Sequence, residues 1–116
     1  MPPDIPKLLE DIREAGEFIL KSAAGLDFDQ FDENRLLRQA VERNFEIIGE
    51  ALLRIRRSDP KISARIGDEL KIIGFRNVIA HGYDMIDNEI VWLIIHNELP
   101  VLISKVRDLL KDAEGF

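Results

Sequence analysis

The segment RNVIAHGYD, residues 76–84, holds the side chains best suited to chemistry: Arg76, His81 and Tyr83. Tyr83 is the only tyrosine of the chain, and His81 is one of two histidines. An arginine presents a planar, permanently charged fork that matches phosphoryl oxygens. A histidine titrates near neutral pH and can move a proton. A tyrosine can orient a group by hydrogen bonding or stack on a base. The set suits phosphate chemistry, and nothing in it requires a metal. Each residue also has a plain structural use. Arg76 could be a salt-bridged helix residue, His81 a favourable cation at a helix C-terminus, and Tyr83 an amphipathic rim residue.

Spacing narrows the geometry. On a regular helix Arg76 and Tyr83, seven residues apart, lie about 20° out of phase. His81, five residues after Arg76, falls about 140° away. Gly82 is a natural helix stop. A tightened last turn beside it can swing His81 and Tyr83 towards Arg76.

The elements that must carry this segment read as helices. Ile5, Leu8, Leu9, Ile12, Ala15, Gly16, Ile19 and Leu20 follow the 3.6-residue period. Asp4 and Pro6 suit the first turn of that helix, and Gly25 suits its end. The stretch LDFDQFDEN reads as a turn with helix-start acids. A long helix is expected from about Asp32 to Arg57, with a stripe of Leu36, Leu37, Ala40, Val41, Phe45, Ile48, Leu52 and Ile55. Asn44 interrupts that stripe, either as a satisfied structural group or as a group pointing into a site beside Arg76. Pro60 breaks the helix, and a short turn around Ile62 to Ile66 follows. A third helix spans roughly Asp68 to His81, with Asp84 or Asp87 as the next N-cap. The last helix covers about Asn88 to Lys111, kinked by Pro100. No segment alternates like a half-buried strand. The expected fold is an all-α antiparallel bundle of four to five helices, one domain over residues 1–116. The last helix is apolar around much of its girth, which suggests burial against a second copy.

Composition excludes several classes. The chain has no cysteine, so it has neither a disulfide framework nor a thiolate zinc site. The segment MPPDIPKLLEDIREAG carries acids where a signal peptide needs bases, and no apolar run reaches membrane-spanning length. A cytoplasmic protein is the expectation. The formal charge of -6 argues against general nucleic-acid binding, but the distribution is uneven. Residues 1–33 carry 3 bases and 9 acids, residues 34–81 carry 10 and 6, and residues 82–116 carry 3 and 7. The positive charge gathers in the middle third, either as a solvated face pairing with the acidic ends or as a basic groove on an acidic body. RIRR, Arg54 to Arg57, could contact phosphate or pair with acidic partners. His96 sits among apolar neighbours and reads as structural.

RNVIAHGYD resembles the signature of the HEPN superfamily, and within it the HepT toxins. Arg76, Asn77 and His81 match the superfamily pattern, and Tyr83 completes the R-x4-H-x-Y form of the HepT branch. ERNFEIIGEAL and VWLIIHNELPVLISKV are similar to family segments, so the resemblance covers most of the chain. It implies a helical-bundle ribonuclease that acts on RNA as a homodimer, with two motifs lining one cleft. It also implies the toxin half of a toxin–antitoxin pair. The partner would be a minimal nucleotidyltransferase antitoxin that uses ATP and magnesium to attach AMP to the motif tyrosine. Carried over, Arg76 and His81 are catalytic and Asn77 supports the site. Tyr83 is both a site residue and the modified position. The ribonuclease itself needs no cofactor or metal. Glu46 and Glu50 match acidic family positions in the second helix. The competing reading is a non-catalytic helical module that presents substrate or nucleotide to a partner nucleotidyltransferase. Only the ribonuclease needs the proton chemistry of His81.

Overall fold

The computed structural model describes residues 4–67 and 87–114. The fold is all-α: every regular element among the described residues is helical. In chain order these are α1 (Ile5–Ala23), α2 (Phe28–Glu33), α3 (Arg35–Ser58), α4 (Pro60–Ile66) and α5 (Asn88–Leu93). A π-helical turn (Ile94–Glu98) and α6 (Leu99–Glu114) complete the order. The expected third helix, Asp68 to His81, lies outside the described residues.

Short acidic and amide side chains set the helix starts. The carboxylate of Asp4 accepts from Lys7 N at 3.2 Å, with Pro6 in the first turn. Asp27 accepts from Gln30 N at 2.8 Å while Gln30 Oε1 accepts from Asp27 N at 2.9 Å, a reciprocal capping box. Asn34 accepts from Leu37 N at 3.0 Å, and Asp59 from Ile62 N at 3.2 Å. Asp87 accepts from Glu89 N at 2.9 Å and Ile90 N at 3.4 Å. Each bond satisfies a donor that the helix itself leaves unpaired. Three expectations change here. The short turn expected around Ile62 to Ile66 is the helix α4, capped by Asp59 and opened by Pro60. LDFDQFDEN contains the helix α2 rather than only a turn, because the box at Asp27 nucleates it. The long helix begins at Arg35 rather than Asp32, because Asn34 takes the cap.

The core is one apolar cluster. Leu9, Ile12 and Ile19 of α1 pack with Val41, Phe45, Ile48, Leu52 and Ile55 of α3, and with Leu99, Ile103 and Val106 of α6. Phe31 of α2 and Val91 of α5 close one flank. Leu36, placed in the α3 stripe by its spacing, is exposed instead. The amide nitrogen of Asn44 donates to Ala40 O at 2.8 Å within α3; Arg76, the other neighbour considered for it, lies outside the described residues. Cross-element ion pairs rim the cluster, Arg107 to Glu17 at 2.7 Å and Arg65 to Asp112 at 2.6 Å.

α1 and α6 come close together at Gly16. A β-carbon added to Gly16 would overlap Ile103 Cδ1 and stand 3.5 Å from Leu99 Cδ1. Glycine costs a helix interior about 1 kcal/mol relative to alanine, and here that cost permits the two helices to meet. Overpacking costs about 1–3 kcal/mol, so the steric term outweighs the propensity gain. Gly16→Ala should therefore lower the melting temperature despite its better helix propensity; a melting curve at or above wild type would refute the close crossing.

Glu42 on α3 shows the opposite economy. Burial raises its carboxyl pKa above the ordinary value, against the lowering influence of Arg38. The folded chain therefore holds that proton more tightly than the unfolded chain. Stability from this group is present at low pH and declines as pH rises through the raised pKa. Glu42→Gln should raise the melting temperature at neutral pH. The gain should shrink as the pH falls through the raised pKa and be gone below the ordinary Glu value. A gain independent of pH would assign it to something other than the carboxylate.

Candidate functional site

Arg76, Asn77, His81 and Tyr83 lie outside the described residues, which stop at Gly67 and resume at Asp87. The described residues supply the frame on both sides of that segment.

On the entry side, Gly67 caps α4 with φ 92° and ψ −137°. Residues with a β-carbon rarely adopt that conformation. Lys105 Nζ of α6 lies 2.7 Å from where such a carbon would sit. A side chain at 67 would meet both backbone strain and an ammonium group. On the exit side, Asp87 caps α5 through its carboxylate. The next residue, Asn88, donates to Asp32 Oδ1 at 2.8 Å and ties that end to the close of α2.

An aromatic group follows one turn into α5. The Trp92 indole sits 5.3 Å from the ring of Phe31 and 6.2 Å from that of Phe28, the latter edge-on. His96 stands edge-on to Trp92 at 4.3 Å. His96 is exposed, so its apolar sequence neighbours, Ile94 and Ile95, are buried on another side. The π turn explains this placement. Pro100 has no N–H, and its ring would press on the carbonyl four residues earlier, which is His96. The chain widens there, and Leu99 N–H donates to Ile94 O, five residues back. The disruption expected from Pro100 takes the form of this turn.

A cleft of about 270 Å³ runs between α1 and α3, lined by Leu8, Asp11, Arg43, Glu46, Glu50 and Arg54, among others. Glu46 pairs with Arg43 at 3.1 Å and Asp11 with Lys7 at 2.6 Å. Glu46 and Glu50 thus face a mixed-charge groove. Among the described residues no group of three His, Asp or Glu could hold a metal ion. No described helix is long and apolar enough to cross a membrane.

The end of α3 and the whole of α4 form a basic corner. Arg54, Arg56, Arg57, Lys61 and Arg65 are all exposed there. Arg65 pairs with Asp112; among the described residues the other four form no ion pair. The RIRR run is thus not spent on the acidic first helix. Two features were not read from sequence: the Phe28–Phe31–Trp92–His96 group and the π turn. The signal for the first was the pairing of Phe28 with Phe31 and of Trp92 with His96 at helical spacing. Which residues would meet across elements had no local signal.

Comparison with known proteins adds the chemistry. A family model described as "Ribonuclease HepT-like" matches residues 8–109. A protein of Methanocaldococcus jannaschii named "Putative RNase" is 30% identical over 107 residues, covering 89% of this chain and 94% of its own length. One of the same designation from Caldanaerobacter subterraneus subsp. tengcongensis is 29% identical over 103 residues, with 89% and 91% covered. "Probable ribonuclease HepT" of Thermococcus cleftensis is 32% identical over 107 residues, with 89% and 93% covered. No solved structure matches the chain.

Proposed function

The chain belongs to the HepT-like ribonuclease family, and on that premise we propose that it is a metal-independent endoribonuclease, the toxin of a toxin–antitoxin pair. The observation that carries this reading is the complete R-x4-H-x-Y set, Arg76, His81 and Tyr83, within the stretch the family model matches. An RNA 2′-hydroxyl attacks the adjacent phosphorus. His81 takes the hydroxyl proton as the new P–O bond forms and returns it to the departing 5′-oxygen as the old bond breaks. The products are a 2′,3′-cyclic phosphate and a 5′-hydroxyl. Arg76 stabilises the charge that builds on the non-bridging oxygens, with Asn77 supporting the site. The 2′-hydroxyl is the nucleophile and also separates RNA from DNA.

The functional unit on this reading is a homodimer with two motifs at one cleft. Exposed apolar side chains on the rod from Asn88 to Glu114 support it: Ile90, Leu93 and Val101 are each more than half exposed. Scattered apolar residues are ordinary on a surface, but three on one rod suit a partner face. The antitoxin is a minimal nucleotidyltransferase. The Tyr83 phenol attacks the α-phosphorus of ATP, and pyrophosphate leaves. The new phosphodiester charge offsets Arg76 and repels RNA, while the adenosine occupies the cleft.

Partner-free protein should cleave total RNA in EDTA, and His81→Ala should lower the rate by about 10²-fold or more, the scale of a general acid–base group. Equal cleavage by both proteins would remove His81 from the mechanism. Absence of cleavage by wild type with an unmodified Tyr83 would instead favour a non-catalytic module that presents substrate to the nucleotidyltransferase. Tyr83→Phe should escape silencing by the partner with ATP and magnesium, read as retained growth arrest and no mass increase by AMP. Full silencing of Tyr83→Phe would overturn the modification scheme.

A further inference from the structure

The basic corner has no assigned role. Residues 54–65 contain five bases and one acid in a chain of net charge -6. The acid, Asp59, already accepts from Ile62 N as the cap of α4. Arg56 and Arg57 lie in the last turn of α3, where cations favour the helix carbonyls. That effect fades within one turn and does not account for Arg54 before it or Lys61 after it. All five bases are exposed, and α3 and α4 pack against each other, so the charges surround the junction of these two helices, with Arg54 also on the rim of the α1–α3 cleft.

We infer that this corner, through Arg54, Arg57 and Lys61, is a phosphate-backbone contact surface for an RNA strand, on the helices that lead in sequence through Gly67 to Arg76 and His81. The inference rests on the ribonuclease reading and names the surface that reading lacks. Two observations select nucleic acid over an acidic protein. First, among the described residues the large exposed apolar side chains, Phe18, Leu36, Ile90, Leu93 and Val101, all lie outside residues 54–65. Protein interfaces are centred on apolar or aromatic anchors, whereas nucleic-acid interfaces are polar and strongly positive. Second, the corner runs in sequence to Gly67, where the described chain enters the segment that bears the motif. The acidic remainder of the chain repels phosphate, so a polyanion meets an attractive field here and a repulsive one over much of the surface. Arg65, paired with Asp112, is a lesser contributor. The contacts are sequence-independent and position the strand, while the motif does the chemistry.

The test uses the full chain and a fluorescent 2′-O-methyl oligoribonucleotide, which cannot be cleaved because its attacking hydroxyl is blocked. Affinity is read by anisotropy across a salt series. The variant Arg54→Gln/Arg57→Gln/Lys61→Gln removes three exposed charges. Lys7→Gln/Lys21→Gln/Arg35→Gln makes the same charge change elsewhere on the surface. Single strands give a slope of about 0.7 per phosphate contacted. The corner variant should therefore lose about 2 from the slope of log affinity against log salt, and about tenfold or more in affinity near physiological salt. The control should lose far less. Equal losses in both variants, no loss in the corner variant, or no binding by wild type would each overturn the assignment. So would retained RNA affinity with loss of binding to the nucleotidyltransferase, which would make the corner a protein-docking surface. Tight binding of the blocked oligonucleotide without cleavage of unmodified RNA would sink the ribonuclease reading and leave the contact surface standing.

Discussion

The crossing of α1 over α6 at Gly16 is the constraint on which the described bundle depends. α1 packs on α3 with one flank and on α6 with the other. Its buried residues Leu8, Leu9, Ile12, Ala15, Gly16, Ile19 and Ala23 form a band wide enough to serve both neighbours. Because Gly16 presents no side chain, Ile103 and Leu99 come within contact of the α1 backbone. That contact fixes how far α6 can slide along α1. The register of α6 in turn sets Lys105 against Gly67, Asp112 within reach of Arg65, and Arg107 against Glu17. These exposed pairs are each worth at most about 1 kcal/mol, so they report the register and do not create it. Gly67 and Asp87, the two ends that bracket the motif segment, are both anchored to this frame.

Much of this frame was legible in the sequence, and the reasons are local. The α1 boundaries followed from Asp4, Pro6 and Gly25, because caps and helix stops act within a few residues. The break at Pro60 was legible for the same reason. Asp87 was one of two offered caps and is the one that the structure uses. The failures arise where neighbours in space decide. Leu36 fits the α3 stripe by spacing, yet it lies in the first turn, before the helix reaches the core, and remains solvent-exposed. The π turn at Ile94–Glu98 had no local signal either; it sets His96, read from the sequence as structural, against Trp92. One extra residue per turn moves every later side chain around the axis, and periodicity has no means of announcing the insertion. The residue types of the motif were open to a structural use as well as to phosphate chemistry, and the family resemblance, not the types alone, favoured the chemistry. The motif's geometry could not be read, because a five-residue separation that ends beside a glycine and a seven-residue one that crosses it fix no single arrangement.

The charge distribution has a consequence for how such a protein would select its substrate. A chain that is acidic overall cannot gather RNA through a long-range attractive field. It must rely on a few cations placed together. With a handful of phosphates contacted, affinity is modest and strongly salt-dependent. A substrate would then be chosen less by tight binding than by whether its strand can reach the reacting groups once the corner is engaged.

The same arithmetic bears on control by a single modification. On the proposed reading, attaching AMP to Tyr83 adds one phosphodiester charge. Against a broad basic surface one negative charge would be a small perturbation. Against a site with one arginine and a corner of a few cations, it is comparable to the attraction itself. The low cationic content that makes the chain look a poor nucleic-acid binder is therefore compatible with a switch operated by one added charge. A more basic protein would hold RNA more tightly and need a larger modification to release it. On the proposed reading, modest affinity and effective silencing would both follow from the same sparse charge set.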